Sequence, residues 1–395
     1  MVAAPSVPSR PPVNARLEPF GTTIFAEMSA LAVSTGAINL GQGFPDTDGP
    51  PEVLAAAKAA IDGGRNQYPP GPGFPELLDA IAAHQKRFYA IDIDPRRDVL
   101  VTVGATEAIA ATILALCAPG DEVVTFEPYY DSYAATIALA GATMRAVPLR
   151  FPDFAVDEAA LRAAFTRHTR LVLLNTPHNP TGKVFTRAEL ALIAQLAQDY
   201  DAWVVTDEVY EHLVFDGRTH IPVATLPGMA QRTLTISSAG KTFSTTGWKV
   251  GWVSGPEQAI AGIRGVKQFL TFVGSGPFQL ATATGLGLRD SVYAGLAASL
   301  QAKRDLLVAG LVDAGLRVSI PEGTYFVIAD LAPLGVRDAL AFCRSDLAQR
   351  GGVVGVPVSV FCDNKEASAS LVRFAFCKRD EVLTEAASRL ARLRP

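Results

Sequence analysis

"AWVVTDEVYEH", residues 202–212, runs Trp203, Val204, Val205 and Thr206 together before its first carboxylate, Asp207. A strand with one wet face alternates apolar and polar residues. This run does not, so it reads as a strand covered on both faces, the habit of parallel sheets in α/β proteins. The pattern recurs outward: "TLTISS" near Leu234 and "VGWVSG" near Val250 follow it, and "RLVLLNTP" near Val172, "EVVTFEP" near Val123 and "VLVTVG" near Val99 precede it. Helical periodicity fills the gaps, as in "RAELALIAQLAQDY" from Arg187 to Tyr200. The clearest helix is "DGPPEVLAAAKAAIDGG", with prolines at its start, Val53, Leu54, Ala57, Ala60 and Ile61 along one face and glycines at its end. Strands alternating with helices predict a doubly wound α/β domain with a mostly parallel sheet covered by helices.

A chain of 395 residues exceeds the roughly 150 of an average domain, which suggests about two. From about Asp290 the rhythm changes to a long helical stretch and then to strand candidates such as "GTYFVIADL" and "LVRFAFCK". We expect a smaller α+β domain there. Net charge is -4 and no basic run occurs, which argues against a nucleic-acid binder. The four cysteines form no C-x-x-C pair, so a disulfide framework or a metal site is not expected, and a reducing compartment fits. Cys117 reads as part of a helix face. The Pro-rich first fifteen residues show no signal-peptide core, and "AIAATILALCA" is shorter than the ~18 residues of a membrane span. The expectation is a soluble cytoplasmic protein with a flexible arm over residues 1–15.

In an open parallel sheet, ligands bind beyond the carboxyl ends of the strands. Gly104, Ala105 and Thr106 follow one such end and open a helix, whose free N–H groups would hold a phosphate; a plain strand-to-helix turn is the alternative. Asn179 sits in "NTPHNPTG", which a turn alone would also explain. Asp207, with Tyr210 three positions on, either faces a ligand or caps a helix. Lys241 lies in "SSAGKTFSTTGWKVGW", residues 237–252. A phosphate-binding P-loop would need glycine where Thr235 stands, so that reading fails. Lys241 is then a surface charge or an amine held among small residues for chemistry. A phosphate cup, the aromatic pair Tyr129 and Tyr130, an amide, a buried carboxylate, a tyrosine and a lysine form the set that pyridoxal phosphate requires.

Here the chain resembles the fold-type-I, class I aminotransferases of the kynurenine and glutamine transaminase subgroup, from about Leu17 to Leu393. The likeness rests on "NLGQGFPD", "NQYPPGPG", "GATEAI", "EPYYDSY", "NTPHNPTGKVF", "TDEVYEHLVFDG", "SSAGKTFSTTGWKVGW" and "LVRFAFCKRD" in that order. Within the subgroup the chain looks most like actinobacterial N-succinyldiaminopimelate aminotransferases. The resemblance implies pyridoxal 5'-phosphate held as a covalent Schiff base on Lys241. It implies that Asp207 pairs with the pyridine nitrogen, that Asn179 and Tyr210 hold the phenolic oxygen, and that Tyr130 stacks on the ring. Gly104, Ala105, Thr106, Ser238 and Lys249 would take the phosphate, with Lys249 standing where many relatives have arginine. Arg373 would clamp the substrate carboxylate with help from the Gly43 backbone, Asn179 would also face substrate, and Phe20, Tyr325 and Lys267 are candidates for reading its side chain. Tyr68 would reach the neighbouring subunit's phosphate, which implies a homodimer with shared sites. A small domain from residues 16–47 and 290–395 would flank a large cofactor domain over residues 48–289.

The reaction so implied moves an amino group between an L-amino acid and a 2-oxo acid, with glutamate and 2-oxoglutarate as one pair. The other partner is first a succinylated amino-oxopimelate and second kynurenine, glutamine or methionine. Two rivals are a carbon-sulfur β-lyase on the same cofactor and a ligand-sensing regulator; the latter normally carries a DNA-binding module ahead of the domain, which residues 1–15 are too few to form.

Overall fold

The computed structural model describes residues 14–21 and 23–394, so most of the expected arm lies outside the described residues. Seven strands make the principal sheet: β1 (Val99–Val103), β2 (Glu122–Glu127), β3 (Thr143–Pro148), β4 (Thr169–Asn175), β5 (Trp203–Asp207), β6 (Thr233–Ser238) and β7 (Val250–Ser254). Their order is β1-β7-β6-β5-β4-β2-β3. All run parallel except β7, which is antiparallel to both of its neighbours. Every residue of β2, β6 and β7 is buried, as their unbroken apolar runs require. β3 is a strand that the apolar runs do not predict. It lies at one edge of the sheet, its residues alternate in exposure, and "TMRAVP" carries Arg145 and a terminal proline in place of an apolar run.

Helices form where periodicity places them. α1 (Pro51–Asp62) starts on proline and buries Val53, Ala57 and Ala60, while the "RAELALIAQLAQDY" segment gives α3 (Arg187–Asp199), opened by a capping box between Thr186 and Glu189. Between them in the chain, α2 (Gly104–Leu116) leaves directly from β1. Cys117 corrects its expected place: it ends α2 in an extended conformation because Ala118 and Pro119 turn the chain away. All four cysteines are free thiols. Among the described residues no helix is long and apolar enough to cross a membrane.

A second, antiparallel sheet is built from β8 (Arg317–Ser319), β9 (Phe326–Asp330), β10 (Val356–Pro357) and β11 (Leu371–Ala375), in the order β10-β11-β9-β8. The early segment Ile38–Asn39 pairs in parallel with Val353–Val354, and Ala375 N donates to Leu40 O at 2.7 Å. Met28, Ala32 and Leu40 therefore share a core with Leu307, Val327, Phe374 and Leu390. Val209, Tyr210, Leu213 and Phe215 enter the same core from the loop after β5, so that loop is clamped between the two sheets.

Where α2 meets β7, the backbones touch. A Cβ on Gly251 would lie 2.5 Å from the Gly104 carbonyl carbon and 2.7 Å from the Ala105 nitrogen. Gly251→Ala must displace the first turn of α2. We expect a loss of about 1–3 kcal/mol in urea unfolding, the usual cost of overpacking; an unchanged midpoint would mean that the turn moves freely.

Candidate active site

The register of the principal sheet gathers the polar residues at one edge. Asn175 at the end of β4 faces Asp207 at the end of β5, Ser238 at the end of β6 faces Gly251, and Val103 at the end of β1 faces Val250, which Lys249 precedes. A cavity of about 170 Å³ opens at this edge, lined among others by Ala105, Thr106, Tyr130, Asp207, Lys241 and Lys249. Gly104, Asn179, Tyr210 and Ser238 line it as well.

One end of the cavity is made for an anion. No side chain caps the amino end of α2; Glu107 instead reaches back to Val103 N at 2.6 Å, leaving the N–H groups of the first turn toward the cavity. Gly104 has φ +73°, and a Cβ there would sit 3.2 Å from the Lys249 ammonium. Lys249 is itself left-handed, φ 54°, which turns its side chain over this turn.

At the other end lies Asp207, buried in the sheet. Its Oδ2 accepts the Tyr133 hydroxyl at 2.7 Å, and its carbonyl accepts Asn175 Nδ2 at 2.7 Å. Burial pushes the Asp207 carboxyl above the usual range, against the opposing pull of the Tyr133 hydrogen bond. The residues after Asp207 form turns and no helix, which removes the helix-cap reading. Sequence patterns single out neither Tyr133 nor Asn175. Tyr133 stands three residues beyond Tyr130 and packs edge-on to it at 5.7 Å, a spacing that offers a hint; Asn175 offers none.

Lys241 follows β6 in the short helix Ala239–Thr242. Its Nζ donates to the Tyr325 hydroxyl at 2.8 Å and approaches Gly43 O at 3.4 Å. Burial lowers its amine to about 8; Arg373 and Lys249 push the same way, opposed by Cys377 and Asp207. The surface-charge reading of Lys241 therefore falls. Arg373 in β11 is 2% exposed, and among the described residues it makes no salt bridge. Its Nη1 donates to Asn179 Oδ1 at 3.1 Å, its Nη2 to Gly41 O at 2.9 Å, and its Nε has no partner. The guanidinium lies 4.0 Å from the centroid of the Phe326 ring, and burial lowers it to about 10. A buried guanidinium with no carboxylate is a receptor for one.

Other expected residues stand elsewhere. The Gly41 carbonyl accepts from Arg373, and the Gly43 carbonyl accepts from the Tyr325 hydroxyl at 2.6 Å. Tyr129 turns to Asp363, leaving Tyr130 to the cavity. Phe20 lines an adjoining chamber that shares Tyr130. Lys267 is buried against Phe272 O, outside the cavity lining. Tyr68 is 81% exposed and packs edge-on to Phe272, outside the cavity lining.

The family model described as "Aminotransferase class I and II" matches residues 35–390. The chain belongs to the class I and II aminotransferases. This aminotransferase is 54% identical over 387 residues to the probable N-succinyldiaminopimelate aminotransferase DapC of Mycobacterium tuberculosis, covering 95% of this chain and 97% of that one. The solved structure of the M. tuberculosis enzyme superposes with a TM-score of 0.94, covering 96% of this chain and 100% of that one. A methionine aminotransferase of Escherichia coli is 42% identical, covering 96% and 98%. Thermus thermophilus aspartate aminotransferase with maleate, at 29% identity, covers 97% and 100% with a TM-score of 0.88.

Enzymes of this family depend on pyridoxal 5'-phosphate, and the residues present fit it. The uncapped amino end of α2 with Lys249 beside it suits a phosphate, the buried Asp207 suits a protonated ring nitrogen, and Lys241 offers an amine of lowered basicity.

Tyr133→Phe would leave Asp207 Oδ2 without its buried donor. We expect it to cost about 1–3 kcal/mol in urea unfolding, and no change would mean that the bond contributes nothing. An amine reacts with a carbonyl only when neutral, so cofactor uptake by cofactor-free protein should rise with pH and reach half its maximal rate near the Lys241 value of about 8. A rate independent of pH from 6.5 to 9.5, roughly, would exclude titration of Lys241 as its control.

Proposed function

We propose that this aminotransferase moves an amino group between N-succinyl-LL-diaminopimelate and 2-oxoglutarate, a step of lysine and diaminopimelate biosynthesis, with Lys241 as the residue that carries the cofactor. The observation behind the aminotransferase chemistry is the buried Arg373, which has no salt-bridge partner among the described residues and bonds to Asn179, a residue lining the same cavity as Lys241 and Asp207. Support for the specific substrate is the 54% identity to the M. tuberculosis enzyme along nearly the whole of both chains.

When bound, pyridoxal phosphate supplies a carbonyl that accepts amines and a ring that withdraws electrons from the substrate Cα. The chain supplies the rest. The N–H groups of Gly104, Ala105 and Thr106, the Ser238 hydroxyl and the Lys249 ammonium hold the phosphate. Asp207 keeps the proton on the ring nitrogen, positioned by Tyr133 and Asn175. Tyr130 covers a ring face, and Asn179 and Tyr210 hold the phenolic oxygen. Arg373 grips the α-carboxylate, while Asn179 Oδ1 fixes the guanidinium plane. The Lys241 amine, neutral above about 8, would take the proton from Cα and deliver it on the cofactor side of the C–N linkage.

We read the protein as a cytoplasmic homodimer in which Tyr68 completes the partner's phosphate site; its 81% exposure beside Phe272 supports this. Residues 16–47 and 290–395 act as the smaller domain against 48–289, consistent with the pairing of Ile38–Asn39 with Val353–Val354.

The test is spectroscopic. L-Glutamate should bleach the visible absorption of the loaded protein, and N-succinyl-2-amino-6-oxopimelate should restore it faster than the oxo acids of methionine or kynurenine. Faster restoration by the latter would move the enzyme to the methionine or kynurenine group, whose members are 42% and 38% identical. Lys241→Ala should lose the visible band and turnover; full turnover would end this mechanism. Arg373→Lys exchanges a two-pronged grip for one contact, so the apparent KM for glutamate should rise on the order of 10- to 100-fold, and an unchanged KM would remove Arg373 from the site.

A further inference from the structure

We infer that Tyr325 is a further catalytic residue, whose hydroxyl receives and orients the Lys241 nitrogen whenever that nitrogen acts as the proton carrier. The inference rests on the aminotransferase reading above, and its ground is the direction of two hydrogen bonds. Tyr325 Oη lies 2.6 Å from Gly43 O and 2.8 Å from Lys241 Nζ. A carbonyl only accepts, so the single phenolic proton goes to Gly43 and the oxygen lone pairs face Lys241. Tyr325 is thereby an acceptor for both the amine and the ammonium.

The geometry is held on every side. Tyr325 is 1% exposed, with its ring edge-on to Tyr210 at 5.2 Å and to Phe326 at 4.8 Å. A Cβ on Gly43 would strike the Phe326 ring at 2.4 Å, so the chain that presents the Gly43 carbonyl is seated against the same strand. Burial keeps the phenol protonated far above neutrality.

The need for such an acceptor comes from the other groups around Lys241. Arg373 and Lys249 disfavour its charged form, Asp207 and Cys377 favour it, and Tyr210 presents a ring face 5.8 Å from Nζ. Gly43 O, at 3.4 Å, is already engaged by the phenol. When the amine takes a proton from Cα it becomes an ammonium with three donors, and Tyr325 accepts one of them without giving up its own proton. When the ammonium gives that proton up on the cofactor side of the C–N linkage, the same contact remains. The electron pair left at Cα would pass to the cofactor, the proton passes through Nζ, and Tyr325 fixes where Nζ stands during both transfers.

Tyr325→Phe keeps the ring and removes the acceptor. In cofactor-free full-length protein, the pH midpoint of cofactor uptake should fall by about one unit, since the ammonium loses a partner. In the loaded enzyme, the rate constant of the glutamate half-reaction should fall on the order of tenfold, with half-saturation changed less than about twofold. An unmoved pH midpoint with an unchanged rate constant overturns the inference, even where urea unfolding shows lost stability. If Tyr325→Phe does not fold, 3-fluorotyrosine placed at 325 weakens the acceptor inside the intact ring; it should move the midpoint the same way by less, and no shift overturns the inference. Wild-type protein that never takes up the cofactor at Lys241 would instead refute the parent reading, a separate result.

Discussion

Asn175 and Asp207 stand side by side across two neighbouring parallel strands, and the active site depends on that register. Strands that all run the same way bring their carboxyl ends to one edge, and each polar residue that closes an apolar run arrives there together. A one-residue slip of β5 would send Asp207 to the opposite face and break its bonds to Tyr133 and Asn175. β7 runs the other way between β1 and β6, so its beginning, not its end, reaches this edge. That reversal brings Lys249 to the amino end of α2, while Gly251 lets the two backbones approach.

Charge at the cavity is left unbalanced by the same edge. Lys241, Lys249 and Arg373 converge on a site where Asp207 is the principal carboxylate. Burial lowers both Lys241 and Arg373, and at Lys241 the nearby Arg373 and Lys249 add to the effect. On the proposed reading two anions would relieve this imbalance, the cofactor phosphate at the α2 end and the substrate carboxylate at Arg373. The burial that lowers the basicity of Lys241 also leaves cations that favour an anionic ligand.

Small contacts from the second sheet finish the arrangement. β9 and β11 pair with Ile328 opposite Arg373 at the middle of their ladder, and Tyr325 immediately precedes β9. The loop from Gly41 to Phe44 runs beneath both, with carbonyls accepting from Arg373, Tyr325 and Lys378. Lys241 therefore touches residues from the far amino-terminal and carboxyl-terminal parts of the chain, and movement of either part would be felt at its nitrogen.

The sequence by itself determined the six buried strands, the helices between them, and the positions of Gly104, Asn179, Asp207, Lys241 and Arg373, because an unbroken apolar run and the polar residue that closes it are local properties. It also carried the ordered motifs that identify the family. It left the edge strand Thr143–Pro148 unread, since partial exposure erases the apolar run. Tertiary structure alone decided that Tyr133 and Asn175 support Asp207, that Gly41 meets Arg373, and that Tyr325 meets Lys241. The last two of these join residues separated by 332 and 84 positions. No spacing encodes such contacts; they arise from how two sheets pack around one edge.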